Sequence, residues 1–361
     1  MSRKIRVLIV EDSALERLLL SEILSQAPDI EVVDVAPDAD GARNKMRIHK
    51  PDVMTLDVKM PGENGITFLT RLMSTDPLPV IMVSAFTQAG AKITLDALER
   101  GAVDFVAKPD GSKDEGLEVF RRELIRKVRA AATARMEQHL RPVPTLPPAE
   151  LPETPGFIVA IGTSMGGPEA LKRLLPRLPA NFPAMLIVQH MPEYFTQAMA
   201  ERLDKICAIH VKEAEQGEPV LPGQALISPG NCHMELRCLG TRYHVEIHKD
   251  PRVRRYRPSV DALFESVAQY ADLDTIGVIL TGMGSDGAKG ISRMKAAGAY
   301  TIAQDEASSV IFGMPKEAIE TGAVDIVLPL EGIPGHLIKT MQRGGAPLKK
   351  PAGSPLVSAS T

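Results

Sequence analysis

The residues best suited to chemistry in this chain follow short apolar runs, at the points where strands would end. In the second half, Ser164 follows FIVAIGT, His190 follows AMLIVQ, and Asp286 comes shortly after TIGVIL. A serine hydroxyl becomes a useful nucleophile when an imidazole takes its proton and a carboxylate orients the imidazole. If the three strands are neighbours, we expect Ser164 to be a nucleophile, His190 its general base and Asp286 the orienting acid.

The glycines around Ser164 favour a sharp strand-to-helix turn. Gly162, Gly166 and Gly167 let the backbone bend and approach a substrate, and Pro168 suits the first turn of a helix whose N–H groups could face an oxyanion. The short pattern is weak evidence alone, and the order serine, histidine, aspartate differs from that of α/β-hydrolases. Neither GTSMGG nor GMGSDGAKG fits the phosphate loop GxxxxGK[ST], so hydrolysis is favoured over nucleotide binding.

A second set of chemical groups follows the apolar runs of the first half. Glu11 and Asp12 follow IRVLIV, Asp57 ends DVMTLD, Ser84 lies in VIMVSA and Lys108 ends DFVAK. Three carboxylates at one sheet edge would repel one another unless a hard divalent cation or a phosphoryl group lay among them, which predicts a Mg²⁺ site. Asp57 could then attack a phosphoryl donor, with Ser84 and Lys108 binding the transferred oxygens. Helix capping is the alternative, and it explains Asp12 more easily than the set.

Two domains of alternating strands and helices must position these residues. The apolar runs of the first half alternate with helical patterns, such as Leu15, Leu18, Leu19 and Ile23 after Ser13. This alternation is typical of a parallel sheet covered by helices, whose functional crevice lies at the carboxyl ends of the strands. The predicted fold class is therefore α/β in both halves.

Proline and glycine content divides the chain of 361 residues, whose length favours two domains. The predicted division is a first domain at residues 1–130, a Pro-rich linker at 131–155, a second domain at 156–343 and a disordered tail at 344–361.

Composition excludes several classes of protein. No apolar run is long enough to cross a bilayer, the N-terminus lacks the features of a signal peptide, and a net charge of -3 provides no general attraction to nucleic acid. The three cysteines form no CxxC pair, which disfavours a disulfide framework or a zinc site. We expect a cytoplasmic protein without membrane insertion or nucleic-acid binding.

The first half resembles a response-regulator receiver domain in IVEDSA, LDVKMPGENG, VSAF and AKP. The resemblance implies a Mg²⁺ site formed by Glu11, Asp12, Asp57 and Lys59. Within it, Asp12 and the Lys59 carbonyl would be direct ligands and Glu11 an outer-shell acid. Asp57 would be the phospho-acceptor and Phe105 the aromatic switch residue.

The second half is similar to the chemotaxis protein-glutamate methylesterases in IGTSMGGPEAL, VQHMP, YRPSVDALFESVA, TGMGSDGAKG and IAQDEASSVIFGMP. The resemblance implies that Ser164, His190 and Asp286 form the triad, that the Met283 N–H contributes to the oxyanion site, and that no cofactor serves the esterase reaction. It implies methylated chemoreceptor glutamates as substrates, methanol release, glutamine deamidation and a chemotaxis histidine kinase as phosphodonor. Met165 stands where this family usually has threonine, which puts the rate in question.

Together the resemblances imply a flavodoxin-like receiver domain joined by the linker to a doubly wound, Rossmann-like methylesterase domain. They imply that the unphosphorylated receiver obstructs the crevice and that phospho-Asp57 relieves the block. A cis Lys108–Pro109 peptide is also implied. The alternative is a receiver fused to a non-catalytic partner-binding module, with the triad a coincidence of strand ends.

A cluster of arginines surrounds one tyrosine in PRVRRYRPSVD. Arg252, Arg254, Arg255 and Arg257 flank Tyr256. A charge run is usually a solvated face, but our hypothesis is that these arginines attract the acidic helices of a receptor.

Overall fold

A computed structural model describes residues 3–85, 87–109, 114–136, 151, 156–251, 253, 256–272 and 274–342. No helix within these ranges combines the length and the apolar character that a bilayer crossing needs.

The first domain is a parallel five-stranded sheet with helices between its strands. The strands are β1 (Ile5–Val10), β2 (Ile30–Ala36), β3 (Val53–Asp57), β4 (Val80–Ala85) and β5 (Asp104–Lys108). The helices are α1 (Ala14–Ser25), α2 (Ala39–His49), α3 (Gly65–Thr75), α4 (Gln88–Glu99) and α5 (Asp114–Ala131). The strand order β2-β1-β3-β4-β5 confirms the flavodoxin-like prediction. Its switch point lies between β1 and β3, which bring Asp12 and Asp57 to the same edge.

The apolar face of α1 differs from the one that the sequence pattern predicted. Ser13 caps the helix, but Leu15 is 76% and Leu18 is 69% exposed, whereas Leu20 and Ile23 are buried. Consecutive leucines at positions 18–20 fit more than one helical stripe, and only the stripe that faces the sheet is buried.

The second domain is a parallel seven-stranded sheet with a separate antiparallel hairpin. The sheet contains β6 (Phe157–Thr163), β7 (Ala184–Gln189), β8 (His210–Glu213), β9 (Gln224–Ile227), β12 (Asp274–Ile279), β13 (Tyr300–Gln304) and β14 (Ile326–Leu328). The hairpin is β10 (His233–Leu239) and β11 (Arg242–His248). The helices are α6 (Gly167–Leu174), α7 (Phe195–Asp204), α8 (Val260–Tyr270), α9 (Ala288–Ala296), α10 (Met314–Glu320) and α11 (Ile333–Gln342), with 3-10 turns at Leu175–Arg177 and Leu330–Gly332.

The order β14-β13-β12-β6-β7-β9-β8 is doubly wound, as predicted. The chain runs outward from β6 through β7 and later returns to β12 on the other side of β6. The switch point is therefore at β6, where a crevice forms outside the carboxyl ends of the strands. The strands that precede Ser164, His190 and Asp286 are the three central neighbours β6, β7 and β12.

The two domains pack against each other on the side of this crevice. The rings of Phe105 in β5 and Phe195 in α7 stack with centroids 4.3 Å apart and planes at 15°. The Arg202 guanidinium pairs with Asp96 at 2.7 Å and Glu99 at 3.5 Å on α4. An aromatic contact and two ion pairs thus hold the receiver domain against the second domain.

The start of the predicted linker also contacts the second domain. After α5 ends, Arg135 donates its backbone N–H to the Val310 carbonyl at 3.3 Å, and its guanidinium pairs with Glu306 at 2.5 Å. Residues 137–150 and 152–155 of the linker, and the tail at 344–361, lie outside the described residues. The domain boundaries stay predictions.

The implied cis peptide at Lys108–Pro109 is wrong in this structure. A cis bond occurs at Arg257–Pro258, and the Lys108–Pro109 bond is not cis. The trans isomer is intrinsically favoured at X–Pro bonds by about 0.5–1 kcal/mol, and Lys108 reaches its carboxylate partners with it.

Candidate active site and receiver site

Strand pairing brings the turn after β6 beside the loops after β7 and β12. Thr163 and Gln189 are register partners, and the His190 N–H donates to the Thr163 carbonyl at 3.1 Å. On the other side, the Ser164 N–H donates to the Thr281 carbonyl at 3.1 Å. Ser164 and His190 therefore each follow one member of a paired position on adjacent strands.

The turn after Ser164 requires glycine at two positions. Gly166 has φ +77°, a left-handed conformation that favours glycine. A Cβ on Gly167 would overlap the Gln189 side-chain oxygen and lie 2.5 Å from Thr163 Oγ1. The same Gln189 side chain donates to the Ser164 carbonyl at 2.8 Å. The Gln189 side chain thus stabilises the turn, and only a glycine at position 167 leaves room for that side chain.

One ring nitrogen of His190 forms a strong hydrogen bond, and the other forms none with the described residues. Nε2 lies 2.7 Å from Asp286 Oδ2. Because an ionised carboxylate can only accept, Nε2 must carry the proton and Nδ1 is the basic nitrogen. Nδ1 is buried and has no hydrogen-bond partner among the described residues. The imidazole is therefore oriented as a general base with its basic atom available.

Asp286 is fully buried and is held by the start of α8. It accepts hydrogen bonds from the N–H groups of Val260 at 2.7 Å and Asp261 at 3.1 Å and from Ser259 Oγ at 2.9 Å. Burial alone would raise the pKa of Asp286, but the hydrogen bond from His190 and the two backbone donors lower it overall. The carboxyl group is therefore ionised at neutral pH.

The loop that carries Met283 approaches Ser164 closely. A Cβ on Gly282 would lie 2.8 Å from the Ser164 Cβ. The Gly282 N–H donates to the Ile311 carbonyl at 3.1 Å, and its carbonyl accepts from Gly313 and Met314 at 3.0 and 2.8 Å. Met283 follows directly, so the residue before the proposed donor is fixed through both its N–H and its carbonyl.

Met165 is buried at 2% exposure and belongs to the same apolar cluster as Leu124 and Val128 of α5. Its carbonyl accepts from Thr281 Oγ1 at 3.0 Å. The residue that departs from the family pattern is therefore buried in an apolar cluster that both domains share, rather than lying open in the crevice.

Two residues near His190 and Asp286 make contacts that the sequence reasoning missed. Ser259 bonds Asp286, and the Tyr256 ring stacks on His190 with centroids 4.3 Å apart and planes at 8°. Both belong to YRPSVDALFESVA, so the resemblance contained the signal, but nothing in residue type or spacing indicated these contacts.

The contacts of Arg257 do not support the hypothesis that this residue attracts acidic partners. Its guanidinium donates to Asn231 Oδ1 at 2.9 and 3.1 Å and to the carbonyls of Lys249 and Asp250. These four hydrogen bonds hold the Arg257 side chain against other segments of its own domain. Residues 252, 254 and 255 lie outside the described ranges.

The carboxylates of the first domain meet at the edge of its sheet. Oxygens of Glu11, Asp12 and Asp57 lie within 4.8 Å of one another. Lys108 Nζ lies 2.9 Å from both Glu11 and Asp57 and also pairs with Glu16, a partner that the sequence reasoning missed.

Burial and neighbouring charges shift the pKa values of two residues in this acidic cluster. Burial, together with the nearby Asp57 charge, raises the pKa of Glu11 to about 7 in spite of its bond to Lys108. Burial would lower the pKa of Lys108, but hydrogen bonds to Glu16, Glu11 and Asp57 raise it overall. An all-oxygen donor set with an incompletely neutralised buried acid fits a hard divalent cation.

The remaining receiver residues lie around this cluster. Ser84 Oγ accepts from Thr94 Oγ1 at 2.7 Å, and Asp57 Oδ2 accepts from the Lys59 N–H at 2.9 Å. Phe105 is buried at 1% exposure, at the contact with the second domain described above. The backbone of β4 and β5 thus connects the acidic edge to that contact.

Comparisons with known proteins agree over both halves. Residues 7–118 match the model of the response regulator receiver domain, and residues 159–337 match that of the CheB methylesterase. The chain is 50% identical over 341 residues to a protein of Syntrophus aciditrophicus named protein-glutamate methylesterase/protein-glutamine glutaminase 2, covering 93% of this chain and 99% of that protein. It is also 50% identical over 347 residues to the protein-glutamate methylesterase/protein-glutamine glutaminase of Yersinia pestis bv. Antiqua (strain Antiqua), covering 95% and 99%.

Among solved structures, the chain is similar to the Thermotoga maritima CheB methylesterase catalytic domain, at 45% identity and a TM-score of 0.50, covering 50% of this chain and 97% of that one. The second half therefore matches a methylesterase in both sequence and structure. Identity that extends over nearly the full length of both partners covers the receiver, the catalytic domain and their order along the chain. The chain belongs to the CheB methylesterase family.

Proposed function

We propose that this chain is a phosphorylation-activated protein-glutamate methylesterase that hydrolyses glutamyl methyl esters of chemoreceptors and deamidates receptor glutamines. The observation that carries the proposal is the His190–Asp286 pair, whose second ring nitrogen is buried and unused next to the turn of Ser164. The relatives' printed names and the order of the two domains support the substrate class and the control.

The proposed reaction is an acyl transfer through Ser164. His190 Nδ1 takes the hydroxyl proton as Ser164 Oγ attacks the side-chain ester carbonyl, and Asp286 stabilises the imidazolium that forms. The same proton passes to the leaving methoxide, which departs as methanol. A water molecule then gives its proton to His190 and attacks the acyl enzyme, which releases the glutamate and restores the serine. Deamidation follows the same steps with ammonia as the leaving group.

The Met283 N–H is our proposed oxyanion donor. The close approach of its loop to Ser164 supports this role, since a donor must lie near the carbonyl oxygen as it becomes negative. The Met165 thioether cannot donate a hydrogen bond, so the backbone has to supply this stabilisation.

The receiver site would hold Mg²⁺ between Asp12, Asp57 and the Lys59 carbonyl, with Glu11 in the outer shell. When bound, the cation neutralises the phosphoryl oxygens that Asp57 receives. Ser84 and Lys108 would bind the remaining phosphoryl oxygens, and Phe105 would report the change to the second domain. A chemotaxis histidine kinase is the expected phosphodonor.

Control by the receiver would operate through access to Ser164. Ser164 is only 5% exposed in this domain arrangement, and the next residue, Met165, lies in an apolar cluster that includes Leu124 and Val128 of the receiver. Phosphorylation would shift the population toward an arrangement in which a receptor helix can reach the crevice.

Methanol release from methylated receptor membranes tests the proposal, measured with and without a small phosphodonor and Mg²⁺. We expect release to rise with phosphodonor and to fall by about a thousandfold or more in Ser164→Ala. Ser292→Ala is the matched control, because within the described residues that hydroxyl bonds just the Ala288 carbonyl of its own helix. Equal release from wild type and Ser164→Ala would instead favour a partner-binding module.

A further inference from the structure

Tyr256 lies between β11 and α8, and its ring faces the imidazole of His190. The centroids are 4.3 Å apart and the planes differ by 8°, so the rings are stacked face to face. The Tyr256 N–H donates to the Val253 carbonyl at 2.8 Å, and this bond helps to fix the tyrosine backbone.

We infer that Tyr256 is a positioning residue for His190: its ring fixes the plane of the imidazole and stabilises the imidazolium during acyl transfer. The inference rests on the proposed role of His190 as general base.

The hydrogen bond to Asp286 does not determine the imidazole orientation by itself. It fixes Nε2, and the ring could still tilt about that atom. A parallel ring at 4.3 Å restricts this tilt, and it acts on a side chain whose Nδ1 has no hydrogen-bond partner among the described residues. Proton transfer needs a donor–acceptor separation of about 2.6–3.2 Å, so the plane of the imidazole determines whether Nδ1 can come within reach of the Ser164 hydroxyl.

The stacked ring also favours the charged form of the base. The face of an aromatic ring attracts a cation, and His190 becomes a cation when it accepts the serine proton. Among the described residues, Asp286 bonds the Nε2 of His190, and the charge of Glu123 in α5 also acts on the imidazole. Glu123 pairs at 2.8 Å with Arg126, whose guanidinium lies over the Tyr256 ring, 5.8 Å from its centroid. Glu123 and Arg126 carry opposite charges and partly offset each other, which leaves Asp286 and Tyr256 as the principal stabilisers.

Tyr256 also contacts the loop proposed to carry the oxyanion donor. Gly284 has φ +97°, and a Cβ there would lie 2.7 Å from the Tyr256 hydroxyl oxygen. The same side chain therefore touches the base and the residue after Met283. Tyr256 therefore positions both the imidazole of His190 and the loop that carries Met283.

The test measures methanol release by the full chain with a small phosphodonor and Mg²⁺, as a function of pH, for Tyr256→Leu and Tyr256→Phe. We expect Tyr256→Leu to lower kcat about tenfold with little change in KM. We also expect the acid limb of its kcat–pH profile to move to lower pH, because the imidazolium loses the ring face. Tyr256→Phe keeps the ring and should retain most of kcat and the wild-type acid limb.

Melting temperatures of the variants separate positioning from a structural role, which would lower stability without moving the acid limb. An unchanged kcat and acid limb in Tyr256→Leu would overturn the inference, and so would equal losses in the Phe and Leu variants. Ser164→Ala and His190→Ala, run in parallel, show whether the proposed chemistry holds. Methanol release that survives in those two variants would overturn the proposed function and this inference together.

Discussion

Asp261 and Asp286 cap each other's helices. Asp286, just before α9, accepts the N–H groups of Val260 and Asp261 at the start of α8. Asp261 Oδ1 in turn accepts the N–H groups of Gly287 and Gly290 at the start of α9, at 3.0 and 2.7 Å. Each carboxylate lies at the positive end of the other helix. The acid of the proposed triad is thus positioned by secondary structure, independently of the histidine that it orients.

Replacing Asp286 by asparagine should destabilise the protein in a pH-dependent way. The folded-state pKa of Asp286 lies below its ordinary value of 3.8, so its ionisation contributes stability above about pH 4 that is lost as the pH falls through the lower folded value. We expect Asp286→Asn to lower the free energy of unfolding by about 1–3 kcal/mol at pH 7. Urea unfolding at a series of pH values checks this, and a difference from wild type that stays constant down to pH 3 would contradict it.

Gly167→Ala should damage the turn of Ser164. The added methyl group would overlap the Gln189 side-chain oxygen, which must move and release the Ser164 carbonyl. We expect a lower melting temperature and at least a tenfold loss of methanol release. Gly335→Ala in α11 is the matched control, since a Cβ there meets nothing within 4 Å, and it should stabilise the helix by about 0.5–1 kcal/mol. Equal behaviour of the two variants would contradict the assignment.

Arg202→Ala should raise the activity of the unphosphorylated protein. The change removes the ion pairs with Asp96 and Glu99 and the hydrogen bond to the Lys92 carbonyl, all across the domain contact. Partly exposed pairs are individually weak, so we expect a gain of about two- to fivefold without phosphodonor and little change with it.

The matched control for Arg202 is Arg121→Ala. Arg121 bonds Glu118 and Gln26, which both lie in the receiver, and within the described residues none of its hydrogen bonds reaches the second domain. Basal methanol release is the readout for both variants. An Arg202→Ala protein with wild-type basal activity would argue that these contacts do not restrain the enzyme.

Mg²⁺ affinity of the receiver should depend on pH through Glu11. Its folded-state pKa is raised from 4.5 to about 7, so below pH 7 the group holds a proton that the cation has to displace. We expect affinity, measured by calorimetric titration, to rise by up to about tenfold per pH unit below pH 7 and to level off above it. Glu11→Gln should flatten this dependence, and a flat wild-type profile between pH 6 and 8 would refute the role given to Glu11.

Residue patterns predicted the α/β class because the apolar runs form the strands, and the functional residues lie at or just after strand ends. The two specific folds were implied by the family resemblances. The patterns could not predict which strands are neighbours, since β12 joins β6 only through an excursion of more than 100 residues. They assigned Leu15 and Leu18 to the buried face of α1 because consecutive leucines fit several stripes. The contacts of Tyr256 and Glu16 were not predicted because they depend on loop and helix placement rather than on spacing. Site roles came mainly from family motifs, and the domain contact came only from the three-dimensional arrangement.

The Phe105–Phe195 stack has a consequence for the signal that the receiver accepts. Thermodynamic coupling is reciprocal: the factor by which phosphorylation weakens docking of the domains is the factor by which docking weakens the phosphorylated state. The catalytic domain is therefore part of the sensor. A receiver with the same acidic site but a weaker partner surface would respond to a lower phosphodonor level, so residues in α7 can tune sensitivity without touching either reaction.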